Sequence, residues 1–367
     1  MTLTLRILLT MIAGFTVTGG LTPLIIHLAH RNHWYDELNH RKIHTEDIPR
    51  LGGFGIYMGM IVSAVVAFIV SSGQLGMPTG LSASVTGAAG FWTVLVYFSP
   101  VIGGMTIIHF VGLIDDFRNL RAILKLVIQI AAAIVVTLGP FRLERITVPF
   151  IWYNVELGLL SYPVTVVWIV AVSNAVNFID GIDGLAGGSS AIAVLFFSII
   201  ALLVGQGVTA LLAIGIFGSL VAFLMFNGPP ARIFMGDSGS YVLGFTLSVF
   251  PLILADGTGN SLDMVPAITL LAIPLLDMAS SVLRRMRRGK HPFSADREHV
   301  HHRLMDRGLG TWKILAAIYG ACILLGVAAV AWYLLPKNLD MAITLAVWCA
   351  LIILLVHFSR VGRRSTG

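Results

Sequence analysis

The feature that most constrains this chain is a series of apolar runs, each close to the length of a membrane-spanning helix. A helix crosses the hydrocarbon core of a bilayer with about 20 apolar residues. Only 11% of the 367 residues are charged, whereas a soluble domain has about 25%. We therefore predict an all-α polytopic integral membrane protein with about 11 transmembrane helices. The runs lie at 4–28, 51–72, 91–113, 122–138, 160–179, 185–205, 208–227, 239–255, 264–283, 312–334 and 340–359.

The basic residues are divided unevenly between the two sets of loops that connect these runs. When each is assigned to its nearer side, all but four of the 24 Lys and Arg residues fall in one set. Because cytoplasmic loops carry an excess of Lys and Arg, that set is expected in the cytoplasm, with the N-terminus outside and the C-terminus inside. Its main loops are 29–50, 114–121, 180–184, 228–238 and 284–311.

One connection on the opposite side, 139–159, combines Pro, aromatic and β-branched residues. This composition predicts a short hairpin on the outer face. There is no internal repeat and no linker, so we expect one domain over residues 1–367, with the functional site on the cytoplasmic loops.

The densest polar cluster, from Val172 to Gly187, covers the end of the fifth run and the start of the sixth. Asn174 and Asn177 are three residues apart and share one face of a helix. Asp180 and Asp183 follow, each directly before a glycine that lets the backbone turn sharply. Hydrocarbon does not tolerate this many polar groups, so we expect them where helices end at water or line a cavity. A hydrophilic turn is the simpler alternative.

A second cluster begins with the adjacent Asp115 and Asp116 at the end of the third run. Two carboxylates at a span end are costly unless a cation or a proton partner lies nearby. Arg118, Arg121 and Lys125 follow at helical spacing and predict one basic stripe on a helix that enters the membrane. Such a stripe suits a phosphate. The alternative is a set of membrane anchors that pair with the aspartates.

Asp237 lies directly before a run of small residues that opens the next span. A carboxylate at a glycine-rich helix start can hold a divalent metal while backbone N–H groups face phosphate oxygens. A helix-capping Asp is the alternative.

The longest inner loop carries Arg297, His299, His301 and His302. The histidines cannot all face one way on a helix, and no Cys lies nearby, so phosphate or sugar binding is favoured over zinc. Asp277, within the ninth run, is a further candidate because a carboxylate inside the membrane is usually functional.

All these clusters fall on one predicted membrane face. Acid and carboxamide oxygens suit Mg²⁺, which takes few protein ligands and is completed by substrate phosphates. Basic groups around it suit phosphoryl transfer, in which the protein mainly positions groups and neutralises charge. A site at the bilayer surface indicates one soluble and one lipid-borne substrate.

The motifs together resemble the polyprenyl-phosphate N-acetylhexosamine-1-phosphate transferases, most closely the bacterial undecaprenyl-phosphate N-acetylglucosamine-1-phosphate transferases. The matching pieces occur in family order over most of the chain: Pro49–Gly53, Asp115-Asp116, Asn174–Gly184, Gly236–Ser240 and Pro292–His302. One departure is visible, because Asn119 stands where the family's aspartate-rich motif often has a third acid.

The resemblance implies transfer of N-acetylglucosamine 1-phosphate from UDP-N-acetylglucosamine to undecaprenyl phosphate, with release of UMP, as the first step of cell-surface glycan assembly. It implies Mg²⁺, with Mn²⁺ as an alternative, held by Asp237 and Asn177. Catalytic roles fall to Asp115, Asp116, Asp180 and Asp183. Substrate binding falls to Asn174, Lys125, Arg118, Arg121, Arg297, His299, His301 and His302.

The resemblance further implies a bacterial cytoplasmic (inner) membrane enzyme whose active site faces the cytoplasm, with no nucleic-acid partner. A homodimer is left open. The nearer alternative is the sister transferase that uses UDP-N-acetylmuramoyl-pentapeptide. The alternative from another class is a secondary transporter, which predicts polar groups near the bilayer midplane and repeated halves.

Overall fold

The computed structural model describes residues 1–35, 48–71, 88–148, 153–258, 264–289 and 299–361. Within these ranges the chain forms thirteen α-helices and one two-stranded hairpin. The helices are α1 Leu3–Asn32, α2 Gly52–Ser71, α3 Ala88–Arg118, α4 Ala122–Thr137, α5 Ser161–Ile179, α6 Leu185–Leu203, α7 Gly207–Asn227, α8 Gly236–Thr258, α9 Met264–Leu270, α10 Ala272–Arg287, α11 Val300–Met305, α12 Thr311–Leu334 and α13 Lys337–Val361.

Each predicted apolar run is helical, which confirms the all-α polytopic class. Among the described residues, eight helices are long and apolar enough to cross a membrane: α1, α2, α3, α5 (with the 3₁₀ turn before it), α6, α7, α8 and α12. The apolar parts of α4 and α13, Ala122–Thr137 and Asn338–Ile353, are shorter. The number of crossings and the orientation of the termini therefore stay predictions.

The ninth apolar run, predicted as one span, is a pair of helices. α9 and α10 are bent by 78° at the single residue between them. Pro274 lies in the first turn of α10. Its ring has no N–H to donate and conflicts with the carbonyl four residues earlier, at Leu270, where α9 ends. The proline thus accounts for the break.

The hairpin predicted for residues 139–159 is confirmed, and its position on the outer face stays a prediction. Strand β1, Arg145–Val148, pairs antiparallel with β2, Tyr153–Glu156. The register places Arg145 opposite Glu156, and their side chains form an ion pair at 3.1 Å.

The interior is built around α8, in which every residue from Ser238 to Leu254 is buried. Helices α2, α3 and α5 pack against it. Small residues permit the close approach, as is usual between membrane helices: a Cβ added at Gly244 of α8 would overlap the backbone of Ser173 in α5. As a result, the C-terminal ends of α3 and α5 and the start of α4 all meet the N-terminus of α8.

Candidate active site

Lys125 joins two carboxylates from different helices. Its Nζ lies 3.0 Å from Oδ2 of Asp115, near the end of α3, and 2.9 Å from Oδ2 of Asp237, in the first turn of α8. The Lys125 side chain is 20% exposed, so the cluster is accessible from solvent. A lysine held by two carboxylates is a fixed positive charge that can also pair with an incoming anion.

The turn between α3 and α4 brings Lys125 to this position. Asp115 Oδ1 accepts a hydrogen bond from the Leu120 backbone N–H at 2.6 Å, and Asn119 adopts a φ of 47°. Asparagine is among the few residues that enter this left-handed region readily. The connection ends α3 at Arg118 and lets α4 begin at Ala122.

This turn corrects one prediction. Arg118, Arg121 and Lys125 do not form a stripe on one helix, because Arg118 ends α3, Arg121 is the residue before α4, and only Lys125 lies inside α4. Arg118 and Arg121 are exposed, and within the described part of the chain neither forms an ion pair. Lys125 alone of the three joins the acidic cluster.

Asp116 holds the N-terminus of α8. Its Oδ1 accepts from the Asp237 N–H at 2.7 Å and its Oδ2 accepts from the Ser238 N–H at 3.1 Å. These amides are among the helix-terminal donors that lack a partner within their own helix, and a negative charge at this end is favoured by the helix dipole. Asp116, predicted as catalytic, therefore lies beside the cluster and orients the helix that carries Asp237.

The motif Pro49–Gly53 packs against the start of the same helix, α8. Phe234 N–H donates to the Pro49 carbonyl at 2.8 Å, and Gly53 N–H donates to the Met235 carbonyl at 2.8 Å. A Cβ at Gly53 would overlap Gly239 and Ser238. Glycine is required here because two backbones approach closely.

The two asparagines of the 172–187 cluster contact different partners. Asn177 Nδ2 lies 3.2 Å from Asp237 Oδ1 and 2.8 Å from Ser240 Oγ. Asn174 Nδ2 donates to Gln129 Oε1 at 2.5 Å and to the Val170 carbonyl at 2.8 Å. Asn177 thus belongs to the acidic cluster, whereas Asn174 bonds to α4 and to its own helix.

The donor set at Asp237 and Asn177 fits a hard divalent cation. Asp237 offers carboxylate oxygens and Asn177 an amide oxygen, although the Asn177 atom that faces Asp237 in this structure is Nδ2. Mg²⁺ is usually held by one or two carboxylates and completed by water and phosphate. Across the described residues no three His, Cys, Asp or Glu side chains converge as a metal site.

Asp180 and Asp183 lie on the loop between α5 and α6. Burial raises the pKa of Asp180 to about 7, and the nearby Asp237 carboxylate acts in the same direction. Asp183 is buried, and its Oδ2 accepts from the Ala231 N–H at 3.0 Å. Asp183 therefore ties this loop to the segment between α7 and α8.

Asn227, the last residue of α7, holds this loop in place, a role that was not predicted from the sequence. Its Oδ1 accepts from the Gly184 N–H at 3.1 Å, and its Nδ2 donates to the Ile233 carbonyl at 2.8 Å. Its position at the end of an apolar run, next to Gly228-Pro229-Pro230, was the available signal.

The histidines lie around the start of α11, and Arg297 lies outside the described residues. His299 contacts Asp277. Burial lowers the pKa of His301 to about 3, and the neighbouring His302 adds to this effect. A Cβ at Gly181 would overlap the His301 ring. His301, predicted to bind substrate, therefore packs against the loop that carries Asp180.

Comparison with known proteins identifies the chain's relatives. Residues 97–255 match the model of "Glycosyl transferase family 4". A protein of Bacillus subtilis (strain 168) named probable undecaprenyl-phosphate N-acetylglucosaminyl 1-phosphate transferase is 33% identical over 327 residues, which cover 89% of this chain and 85% of the relative. This chain belongs to glycosyl transferase family 4.

A second glycosyl transferase of this kind, from Escherichia coli (strain K12), is named undecaprenyl-phosphate alpha-N-acetylglucosaminyl 1-phosphate transferase. It is 29% identical over 336 residues, covering 89% of this chain and 82% of the relative. The family segment 97–255 contains Asp115, Lys125, Asn177 and Asp237. Membership of family 4 confirms the resemblance and the prediction of an enzyme over a transporter.

Proposed function

We propose that this protein transfers N-acetylglucosamine 1-phosphate from UDP-N-acetylglucosamine to undecaprenyl phosphate and releases UMP. The observation that carries the proposal is the position of Lys125 between Asp115 and Asp237, at 3.0 and 2.9 Å. The names of the relatives at 33% and 29% identity support this donor and this acceptor over the muramoyl-pentapeptide alternative.

In this reaction an oxygen of the lipid phosphate attacks the phosphorus that is attached to the sugar. A new P–O bond forms, and the bond from that phosphorus to the bridging oxygen of the diphosphate breaks, so that UMP leaves. The second pKa of a phosphate monoester is near 6. The acceptor is therefore largely a dianion at pH 7, and the attack requires no obligatory base. We favour this direct attack over a covalent aspartyl-phosphate intermediate.

We expect Lys125 to supply positive charge to the diphosphate of the donor. Phosphoryl transfer depends on groups that neutralise negative charge as the leaving group departs. The two aspartates hold the ammonium group in place before substrate arrives, so its reorganisation during the reaction is small. Asp116 contributes indirectly, because it orients the helix that carries Asp237.

Asp237 and Asn177 are the residues that we propose for Mg²⁺, with Mn²⁺ as an alternative. The cation, when bound, would polarise the phosphoryl oxygens of the donor. The pKa of Asp180 is near neutrality, partly because the Asp237 carboxylate raises it. The pKa of Asp180 should therefore change when a charged ligand enters the site.

The finer features of the protein's setting also belong to the proposal. They are about 11 spans, an outer N-terminus, a site on the cytoplasmic face of a bacterial inner membrane, and one domain whose cytoplasmic loops form that site. The excess of Lys and Arg on one set of loops supports this orientation. A homodimer stays a prediction that light scattering of the detergent-purified protein would test.

The proposal is tested by turnover of the purified protein. UDP-N-acetylglucosamine, undecaprenyl phosphate and Mg²⁺ are supplied, and UMP release and a lipid-extractable product are followed in parallel, with EDTA as control. Metal-dependent formation of both products is expected. Turnover only with UDP-N-acetylmuramoyl-pentapeptide would move the protein to the sister activity, and silence with every UDP-sugar would contradict the proposal.

A further inference from the structure

A buried carboxylate anchors the segment that carries the histidines. Asp277, in α10, is 1% exposed. Its Oδ2 lies 2.8 Å from Nδ1 of His299, and its Oδ1 accepts from the Val300 backbone N–H at 2.9 Å. Each oxygen of Asp277 therefore contacts one of two consecutive residues at the start of α11.

Burying this carboxylate costs folding free energy, which indicates a role beyond packing. Transferring a carboxylate into the protein interior is unfavourable, and hydrogen bonds recover only part of the loss. Among the described contacts, the two bonds from the Asp277 side chain both reach the histidine segment and none reaches the neighbouring turns of α10. The carboxylate is thus placed to orient His299 and the backbone that follows it.

The hydrogen bond fixes which nitrogen of His299 carries a proton. An ionised carboxylate only accepts, so Nδ1 must be the donor, and Nε2 is left as the atom available to other partners. The ring is also confined by Phe178, with centroids 5.6 Å apart, and by the parallel ring of His301 at 5.8 Å. The guanidinium of Arg285 lies 5.5 Å from the centroid of the same Phe178 ring.

We propose that Asp277 is a positioning residue, which sets the tautomer and orientation of His299 so that Nε2 engages the sugar-nucleotide donor. Asp277 does not touch substrate and acts through His299. This inference rests on the proposed function and deepens it, because it assigns a role to a residue outside the acidic cluster of Asp115 and Asp237.

The test is a double-mutant cycle. In Asp277→Asn the side-chain oxygen can still accept from Val300, but the amide cannot accept from Nδ1–H, so the imidazole must change tautomer. In His299→Asn the amide reaches about as far as Nδ1, can donate to Asp277 and lacks Nε2. Asp306→Asn, on the exposed end of α11, is the matched control. Each variant is measured for kcat, for the KM of donor and of lipid separately, and for thermal unfolding.

We expect each single variant to lower kcat/KM for the donor by about 10- to 100-fold, the size of effect seen when the partner that orients a metal-binding histidine is removed. The KM for UDP-N-acetylglucosamine should rise while that for undecaprenyl phosphate stays constant. The double variant should be at most about threefold less active than the less active of the two single variants, because Asp277 acts through His299 and its replacement costs little once Nε2 is gone. Asp306→Asn should match the wild type.

Multiplicative losses in the double variant, equal effects on both KM values, or full activity of Asp277→Asn would overturn the inference. If Asp277→Asn does not fold, His299→Asn decides, since it keeps the bond to Asp277, and full turnover in that variant would show that nothing at position 299 needs positioning. If the wild type has no activity with any donor, the proposed function is wrong. If the wild type is active and Asp277→Asn is equally active, only this inference is wrong.

Discussion

Lys125 of α4 and Asp237 of α8 are 112 residues apart in the chain, and their side chains lie 2.9 Å apart. Asp115 closes the group from a third helix at 3.0 Å. An ammonium group between two carboxylates lowers the repulsion that would otherwise separate the ends of α3 and α8. We expect the same ammonium group to pair with the diphosphate of the donor.

Replacing Lys125 by Met should lower kcat by about 100-fold or more, because a positive charge aimed at the transferred phosphoryl group is lost. The change keeps most of the length of the apolar stem. Lys313→Met, at an exposed position in the first turn of α12, is the matched control and should retain turnover. Equal rates for the two variants in the UMP-release assay would refute a role for Lys125 in charge neutralisation.

Asp115→Asn tests whether a base is required. The acceptor phosphate has a second pKa of about 6, so the acid limb of the pH–rate profile should stay near that pH in the variant. Turnover should fall by no more than about tenfold, from weaker orientation of Lys125. Loss of the acid limb together with a collapse of the rate would instead support proton removal by Asp115.

Asp180 should make stability depend on pH near neutrality. Its pKa is raised from 3.8 to about 7, so the folded state binds a proton that the unfolded state releases across this interval. The wild type should therefore lose stability, relative to Asp180→Asn, as the pH rises from about 4 to about 7. The difference between their unfolding temperatures at pH 5 and pH 8 measures this effect and cancels other titrating groups. A difference that does not change with pH would contradict the burial of Asp180 beside Asp237.

Gly53→Ala should disturb the start of α8. The added methyl group would overlap Gly239 and Ser238, and overpacking of this kind costs about 1–3 kcal/mol. We expect a lower unfolding temperature and reduced turnover, because Asp237 is displaced. Gly20→Ala in α1, where nothing lies within 4 Å of the added atom, serves as the control and should not lower either quantity. Matching behaviour of both variants would mean that the contact is unimportant.

The positions of the apolar helices and the convergence of the acidic motifs were predictable from the sequence. The first follows from length and hydrophobicity, and the second from the exclusion of polar groups from hydrocarbon. Because successive loops alternate between the two sides of the membrane, Asp115, Asn177 and Asp237 were predicted on one face. In the structure Lys125 joins Asp115 to Asp237, and Asn177 contacts Asp237 directly.

Other features depend on partners that are distant in the chain. At the break before α4, the Asp115 side chain accepts a hydrogen bond from the Leu120 backbone N–H, a contact that helical spacing alone does not reveal. The contact of Asp116 with the start of α8 could not be predicted, because its two oxygens meet the N–H groups of residues 237 and 238 only in the folded chain. Its catalytic role stays a prediction. The bend between α9 and α10 had a local signal in Pro274, but hydropathy dominated the prediction of one span.

The most direct test of the central claim follows the phosphorus attached to the sugar. UDP-N-acetylglucosamine labelled with radioactive phosphorus at that position is incubated with the purified protein, undecaprenyl phosphate and Mg²⁺, and the products are separated into lipid and aqueous phases. We predict that the label enters the lipid phase in a one-to-one ratio with released UMP, and that EDTA prevents it. Transfer of the sugar with the label left behind as UDP would contradict transfer of a sugar 1-phosphate.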